Sequence, residues 1–299
     1  MINNIQKNVI LAPYTTYRIG GKADYFFIAK TKQALIKVLE WAKDESVPYV
    51  IIGGGSNLLI SDAGFRGLVI LNRLNQYSIT DTSVTVESGM ILSALARKTV
   101  DLGLSGFDFA VNIPGTVGGA VVGNAGAYGT ETSNSFVSAL VWSAKDGQNK
   151  YEKDDMKFSY RSSALKNCHE TVLIEAEFRM QRGDRELMLE KAVSDLEKRK
   201  HDYRGYSCGS YFKNPTDKKI KINKETIDNP SAGYLIDSLG LKGLFVGGAR
   251  VSKNHANVIV NENKASAKDI IDLEKLIIKK VKKRYDVEIQ PEVTKIGIF

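Results

Sequence analysis

The sequence predicts an α+β protein built from more than one compact segment. Three observations lead there. Stretches with helical apolar spacing are interspersed with short strand-like runs, the middle of the chain carries many strand segments that must pair non-locally, and two glycine-rich loops, at residues 53–57 and 111–129, separate these elements. With 299 residues, of which 43% are hydrophobic and 25% charged, the chain is long enough for two or three units with sizeable cores.

Taken in order, Thr31 precedes a run in which Leu35, Val38, Leu39 and Ala42 recur at helical spacing, so residues 32–43 read as a capped amphipathic helix. Residues 47–52 read as a buried strand that runs into Gly53-Gly54-Gly55-Ser56-Asn57. Residues 67–71 and the alternating 83–87 are further strands, and 90–102 a helix. Lys145-Asp146-Gly147 is a hairpin turn between 137–142 and 150–152. Val172, Ile174, Ala176, Phe178 and Met180 should line one face of a strand. After the polar break Gln181-Arg182-Gly183-Asp184, the residues Leu189, Ala192, Val193 and Leu196 mark the apolar stripe of a helix. Residues 231–239, the strand-like 256–260 and a long helix over 266–285 follow; the helix has Ile270, Leu273, Ile277 and Val281 on one stripe and Ser266 and Asp269 spaced as a capping box. Residues 287–298 read as a strand returning to an earlier sheet. These features suggest boundaries that give segments 1–72, 73–182 and 183–285, with 286–299 returning to the second.

Several classes are disfavoured. No apolar run approaches the roughly 20 residues that a membrane span needs, and residues 1–7 lack the apolar core of a signal peptide, so a cytoplasmic protein is expected. Cys168 and Cys208 are too few for a disulfide framework, and His169, His201 and His255 are scattered, so no metal site is expected. Cys208 as a thiol nucleophile lacks a base nearby in sequence. The net charge is +8, and residues 264–284 contain eight Lys or Arg against Asp269, Asp272 and Glu274. A solvated helix face accounts for such a run, and so does attraction of a polyanion, whether RNA or a nucleotide sugar.

Three glycines after a strand let backbone N–H groups approach a pyrophosphate, and a tight turn would use them equally well. The third glycine of a Rossmann fingerprint and the Gly-Lys-Ser/Thr of a Walker loop are both missing, which disfavours those nucleotide folds. The second loop, Ile113-Pro114-Gly115-Thr116-Val117-Gly118-Gly119-Ala120 continuing to Asn124-Ala125-Gly126-Ala127-Tyr128, is dense in glycine and nearly uncharged. That composition suits a backbone laid against something large and flat, or close strand packing.

Three short contexts add chemistry: Phe158-Ser159-Tyr160-Arg161, Cys208-Gly209-Ser210-Tyr211-Phe212-Lys213-Asn214-Pro215 and Gln290-Pro291-Glu292-Val293. Together with the two loops and Thr15-Thr16-Tyr17-Arg18-Ile19-Gly20-Gly21, they make the chain resemble, over nearly its whole length, the UDP-N-acetylenolpyruvoylglucosamine reductases. Residues 232–237 and 247–252 are similar to the second-type branch, which lacks an inserted substrate-capping loop; residues 201–206 depart from the family pattern.

The resemblance implies a two-part FAD-binding region of the vanillyl-alcohol-oxidase type plus a C-terminal α+β substrate-binding domain. It implies non-covalent FAD held by Gly53, Gly54, Gly55, Ser56 and Asn57 in the first loop and by Ile113, Pro114, Gly115, Thr116, Gly118, Gly119, Ala120, Asn124, Gly126, Ala127 and Tyr128 in the second, since no His lies in either. It further implies NADPH as hydride donor, UDP-N-acetylglucosamine enolpyruvate as substrate, and a monomer with no nucleic-acid or membrane partner. Reducing an enolpyruvyl ether requires a hydride at one alkene carbon and a proton at the other. By resemblance Ser210 gives the proton. Arg161 suits the carboxylate because a guanidinium grips it in two places, and Glu292 must act as a neutral donor, which demands a raised pKa, or orient another donor. Tyr160, Lys213 and Asn214 match positions around the substrate, Lys213 as a phosphate contact. Two alternatives stay open: an FAD-dependent oxidase of a small alcohol or sugar, and a basic nucleic-acid-binding protein.

Overall fold

The computed structural model describes residues 4–166, 168, 170–198, 205–216, 218–222 and 225–299. His169, residues 201–204 of the departing run, and the side chain of Leu196 lie outside the described residues. The chain divides into two compact units, one of Met1–Val9, Asp24–Gly54 and Arg66–Lys200, the other of Ile10–Ala23, Gly55–Phe65 and His201–Phe299. The division falls inside the first glycine loop, between Gly54 and Gly55, so no linear cut of the sequence describes it.

In the first unit, a four-stranded sheet runs in the order Gln6–Ile10, Lys22–Ala29, Phe65–Asn72, Tyr49–Ile52, the last pair parallel. The helix Lys32–Asp44 covers it with Leu35, Val38, Leu39 and Ala42, and its cap is as expected, the Thr31 hydroxyl accepting from the Ala34 N–H. The strand Tyr49–Ile52 is half-buried except for Ile52, more open than its apolar composition suggests. A second, five-stranded sheet has the order Gly147–Glu152, Phe136–Ser143, Thr171–Arg179, Ser83–Glu87, Tyr77–Thr80, and its first two strands form the expected hairpin. Helices Leu92–Asp101 and Val117–Gly123 pack on it.

Three expectations change. All six apolar residues of the strand Thr171–Arg179 and its end are buried, yet Val172 and Ile174 join the core around helix Lys32–Asp44 while Leu173, Ala176, Phe178 and Met180 join the other core. The cause is a register shift opposite Leu140 and Val141, where an extra residue on Thr171–Arg179 exchanges its two faces. The helix Arg185–Lys198 buries Met188 and Ala192, whereas Leu189 and Val193 are exposed, so its packed stripe is rotated from the one expected. Gln181–Arg182, read as a break, forms a short strand with Leu104–Ser105.

The second unit carries an antiparallel sheet ordered Tyr206–Ser210, Val258–Asn261, Ala249–Val251, Phe245–Val246. The helices Ala232–Ser238 and Ala267–Tyr285 pack against it, the latter burying Ile270, Leu273, Ile277 and Val281. Tyr17 and Ile19 from the N-terminal motif belong to the same core, and the Tyr17 hydroxyl donates to the Ile259 carbonyl (3.1 Å). Of the expected C-terminal strand only Thr294–Ile296 is regular; it pairs parallel with Leu58–Ile60. No described helix is long and apolar enough to cross a membrane.

The capping box on Ala267–Tyr285 is complete: Ser266 Oγ accepts from the Asp269 N–H (3.1 Å) and Asp269 Oδ2 from the Ser266 N–H (3.0 Å). That second bond, with help from the Gly248 N–H, holds the Asp269 carboxyl below its ordinary range against the opposing effect of partial burial. A lowered folded value contributes stability above the unfolded pKa, lost as pH falls through the folded one. Ser266→Ala should therefore cost about 1 kcal/mol in urea unfolding at neutral pH. Asp269→Asn should also destabilise at neutral pH, with its deficit shrinking below roughly pH 4; a deficit independent of pH would refute the electrostatic part.

Candidate active site

Within the first unit the two glycine-rich loops touch. A Cβ on Gly53 would collide with the Thr116 hydroxyl, and one on Gly54 would stand 3.0 Å from Cα of Gly115, so side chains here would separate the loops. The second loop is seated on the sheet by backbone bonds, Val117 N–H to Met90 O (2.9 Å) and Gly118 N–H to Ser88 O (2.8 Å). Ser88 is itself buried, donating to Leu173 O (2.7 Å) and accepting from Asn72 Nδ2 (2.8 Å). Thr116 caps the helix Val117–Gly123, its Oγ1 accepting from the Gly119 N–H.

Gly119 needs a different explanation. It lies inside that helix, where glycine costs about 1 kcal/mol relative to alanine. Its face is exposed, and a Cβ there would meet only Thr116 Oγ1, at an ordinary 3.7 Å. Among the described residues, nothing fills the space that the missing side chain leaves. The open face leaves room for a flat ligand, and these residues fit the FAD that the family resemblance implies. Ala120, by contrast, is buried in the core, and Asn124 is wholly buried. Ile113, Gly115, Gly118, Gly126 and Ala127 are half-buried around the loop, and Pro114 and Tyr128 are exposed.

Arg161 sits in the same unit on a tight turn. Ser159 and Ser162 exchange both backbone hydrogen bonds (3.1 and 3.0 Å) around Tyr160 and Arg161, and Arg161 takes φ +55°, a left-handed value uncommon for a non-glycine residue. Its Nη2 donates to the Gly126 carbonyl (2.7 Å), its guanidinium carbon lies 5.1 Å from the Tyr160 ring centre, and Lys166 Nζ donates to its carbonyl (2.8 Å).

Ser210 and Glu292 belong to the second unit and stand on neighbouring extended segments. The Glu292 N–H donates to Tyr211 O (2.8 Å), the Lys213 N–H to Gln290 O (2.8 Å), and Phe212 bridges to Pro291. Ser207 pairs with Val260 and Ser210 with Val258, so the strand carries one extra residue, a bulge made possible by Gly209 at φ +77°. Its effect is to turn Ser210 outward while Cys208 and Tyr211 are buried.

Four braces here were missed by sequence reasoning. Asn257, buried, takes both backbone groups of Phe212, accepting from its N–H (2.9 Å) and donating to its carbonyl (2.8 Å) as a missing strand would. Asn57, expected at the cofactor, donates to Glu292 O (3.2 Å) and accepts through its own carbonyl from the Thr294 N–H (3.0 Å). The Tyr211 hydroxyl donates to the buried Glu274 (2.6 Å), whose other oxygen pairs with Lys295 (2.9 Å). Asn214, expected at the substrate, accepts from the Ala232 N–H (3.0 Å) at the start of a helix. Lys213 is half-buried, and Gly55 and Ser56 complete the first loop on this unit. Burial pushes the Cys208 thiol up to about 12, which removes it as a nucleophile. A cavity of about 490 Å³ in this unit, lined by Arg18, Gly20, Asp62, Tyr206 and Lys264 among others, contains none of the expected site residues.

Comparison with known proteins shows the family and the fold. Residues 23–148 match the FAD binding domain and residues 200–296 the C-terminal domain of UDP-N-acetylenolpyruvoylglucosamine reductase. The reductase of Synechococcus sp. (strain RCC307) is 39% identical over 99% of this chain and 95% of its own length. That of Clostridium novyi is 37% identical over 98% of this chain and 92% of its own. The chain belongs to the UDP-N-acetylenolpyruvoylglucosamine reductase family. A solved reductase of that family from Thermus caldophilus superposes with a TM-score of 0.81 at 29% identity, covering 98% of this chain and 99% of the other. The expected architecture, a flavin-binding region followed by a family-specific C-terminal α+β domain, is thereby established.

Two measurements probe the site directly. Gly119→Ala should raise the stability of the flavin-free chain by up to about 1 kcal/mol and weaken flavin retention; equal flavin affinity would show that the open face is not used. With a thiol reagent, Cys168 should react in the folded protein and Cys208 only on unfolding, and prompt reaction of both would contradict the burial of Cys208.

Proposed function

We propose that the protein reduces UDP-N-acetylglucosamine enolpyruvate to UDP-N-acetylmuramate, a step in making peptidoglycan precursor, with NADPH as the source of hydride. The observation that carries this reading is the pairing of the segments bearing Ser210 and Glu292, which brings a hydroxyl and a carboxyl onto adjacent backbone in a family member. The overall change adds one hydride and one proton across the enol ether double bond, and NADPH becomes NADP⁺.

The glycine-rich loops, through Gly53, Gly54, Gly115, Thr116, Gly118 and Gly119, would hold FAD non-covalently, and that group would supply the hydride chemistry. Arg161 binds the substrate carboxylate, where negative charge accumulates as the hydride adds, and its fixed positive charge stabilises that charge more as it grows. Glu292, as a neutral acid, donates a hydrogen bond to the same developing charge rather than repelling it. Ser210 delivers the proton to the second alkene carbon and is reprotonated afterwards. Lys213 attracts the diphosphate, and Tyr160 and Asn214 contribute to the walls of the sugar-nucleotide site. The same reading makes the protein a cytoplasmic monomer with a small-molecule substrate and no nucleic-acid partner.

The test is the visible spectrum under anaerobic conditions. The flavin absorption should bleach with NADPH and return on addition of the enolpyruvyl sugar nucleotide; return only with oxygen would replace the reductase by an oxidase. Ser210→Ala should leave bleaching by NADPH near normal and slow the return by roughly 100-fold or more. Equal loss of both half-reactions would remove Ser210 from the proton-transfer role.

A further inference from the structure

We infer that Asn124 is a positioning residue for Arg161, fixing the turn that presents the guanidinium to the substrate carboxylate; the inference rests on the role proposed for Arg161. Asn124 is wholly buried and ends the helix Val117–Gly123 in the left-handed conformation, φ 43° and ψ 57°. Glycine or asparagine suits that backbone, so the backbone alone does not call for a side chain. The side chain has its own work. Its Nδ2 donates to Ser159 O (3.0 Å) and its Oδ1 accepts from the Ser133 N–H (3.0 Å).

Ser159 is the base of the Arg161 turn, so one amide joins the exit of the glycine-rich helix, the segment at Ser133 and the turn. Two further bonds lie beside it: Ser163 Oγ donates to Val122 O (2.8 Å), and Arg161 Nη2 to Gly126 O (2.7 Å). Both acceptors are within two residues of Asn124. The turn therefore hangs from the helix exit at three points, and only the Asn124 bond holds the carbonyl that closes it. Because Arg161 is at a left-handed φ, the isolated turn has little intrinsic preference for this shape and depends on such ties. A two-point grip on a carboxylate is sensitive to small displacements.

The residue type is diagnostic. Asparagine donates to a carbonyl and accepts from an N–H at once; aspartate keeps the acceptor and sets a carboxylate against the Ser159 carbonyl; glycine keeps the backbone and loses both bonds.

The experiment uses the full-length, flavin-loaded protein and two probes, UDP-N-acetylmuramate, which carries a carboxylate on its lactyl group, and UDP-N-acetylglucosamine, which carries none. Calorimetry gives the ratio of their affinities for the unmodified chain, Asn124→Asp, Asn124→Gly and Arg161→Lys. The inference expects the ratio to fall at least tenfold in both Asn124 variants, as in Arg161→Lys, with binding of the carboxylate-free probe little changed. An unchanged ratio in both Asn124 variants beside a lowered one in Arg161→Lys overturns it. So does an equal loss of both probes, which is what general disorder of the loop would give. An unchanged ratio in Arg161→Lys overturns instead the role of Arg161 on which the inference rests.

Discussion

The chemistry of this protein depends on irregular backbone, and irregular backbone depends on buried amides. Main-chain N–H and C=O groups removed from water must be paired, and a turn or bulge has no ladder to pair them. Asparagine supplies the substitute, since one side chain both donates and accepts. Asn257 replaces a strand for Phe212, Asn124 ties the helix exit to Ser159 and Ser133, and Asn261 holds Tyr17 O and the Ala265 N–H. Asn72 does the same beneath the second glycine loop, donating to Ser88 and accepting from the Leu74 N–H. Each is at most 7% exposed. An unmade bond at such a site costs about 1–3 kcal/mol, so these residues tolerate few replacements.

Two of the positive φ values fall at the proposed site. Gly209 and Arg161 both have positive φ, and each lies within one residue of, or at, a group with a proposed chemical role. Such conformations persist when the surroundings over-determine them. At Gly209 the flanking side chains Cys208, Tyr211 and Phe212 are all anchored in the core of the second unit, so the extra residue can only turn Ser210 outward. At Arg161 the turn is fixed by bonds to the helix exit rather than by apolar packing. One residue is held by hydrophobic contact and the other by polar ties, with the same result of a presented functional group.

Local signals were legible and long-range ones were not. The helices starting at Lys32 and Ala267 could be read because their caps and stripes lie within a few residues of one another. The hairpin around Asp146 was equally local. The face of the strand Thr171–Arg179 was misread because a bulge is set by its neighbour, Phe136–Ser143, and leaves no mark on its own apolar alternation. The stripe on Arg185–Lys198 failed because Leu and Val at helical spacing also fit a rotation that leaves Leu189 and Val193 in solvent. Asn57 stands 235 residues from Glu292, and its position beside three glycines suggested a ligand contact rather than a brace. The family resemblance named candidate chemical groups through their short contexts; it did not reveal the residues that hold those contexts in place.

The buried neighbours of Ser210 bear on the proton-donor role proposed for it. Tyr211 donates to Glu274, and burial first, then the Glu274 charge, keeps its phenol protonated far above neutral pH. Cys208 is held protonated by burial as well. Glu274 is matched by Lys295, whose side chain is one-third exposed, so the carboxylate is paired instead of standing alone in the core. A relay through this core would need Tyr211 or Cys208 to release a proton readily, and both are built to keep theirs. Their bonds fix the segment that carries Ser210, while Ser210 itself faces outward. The bulge at Gly209 therefore separates two sides along five residues: the core side of the strand holds position, and the exposed side carries the Ser210 hydroxyl proposed as the proton donor.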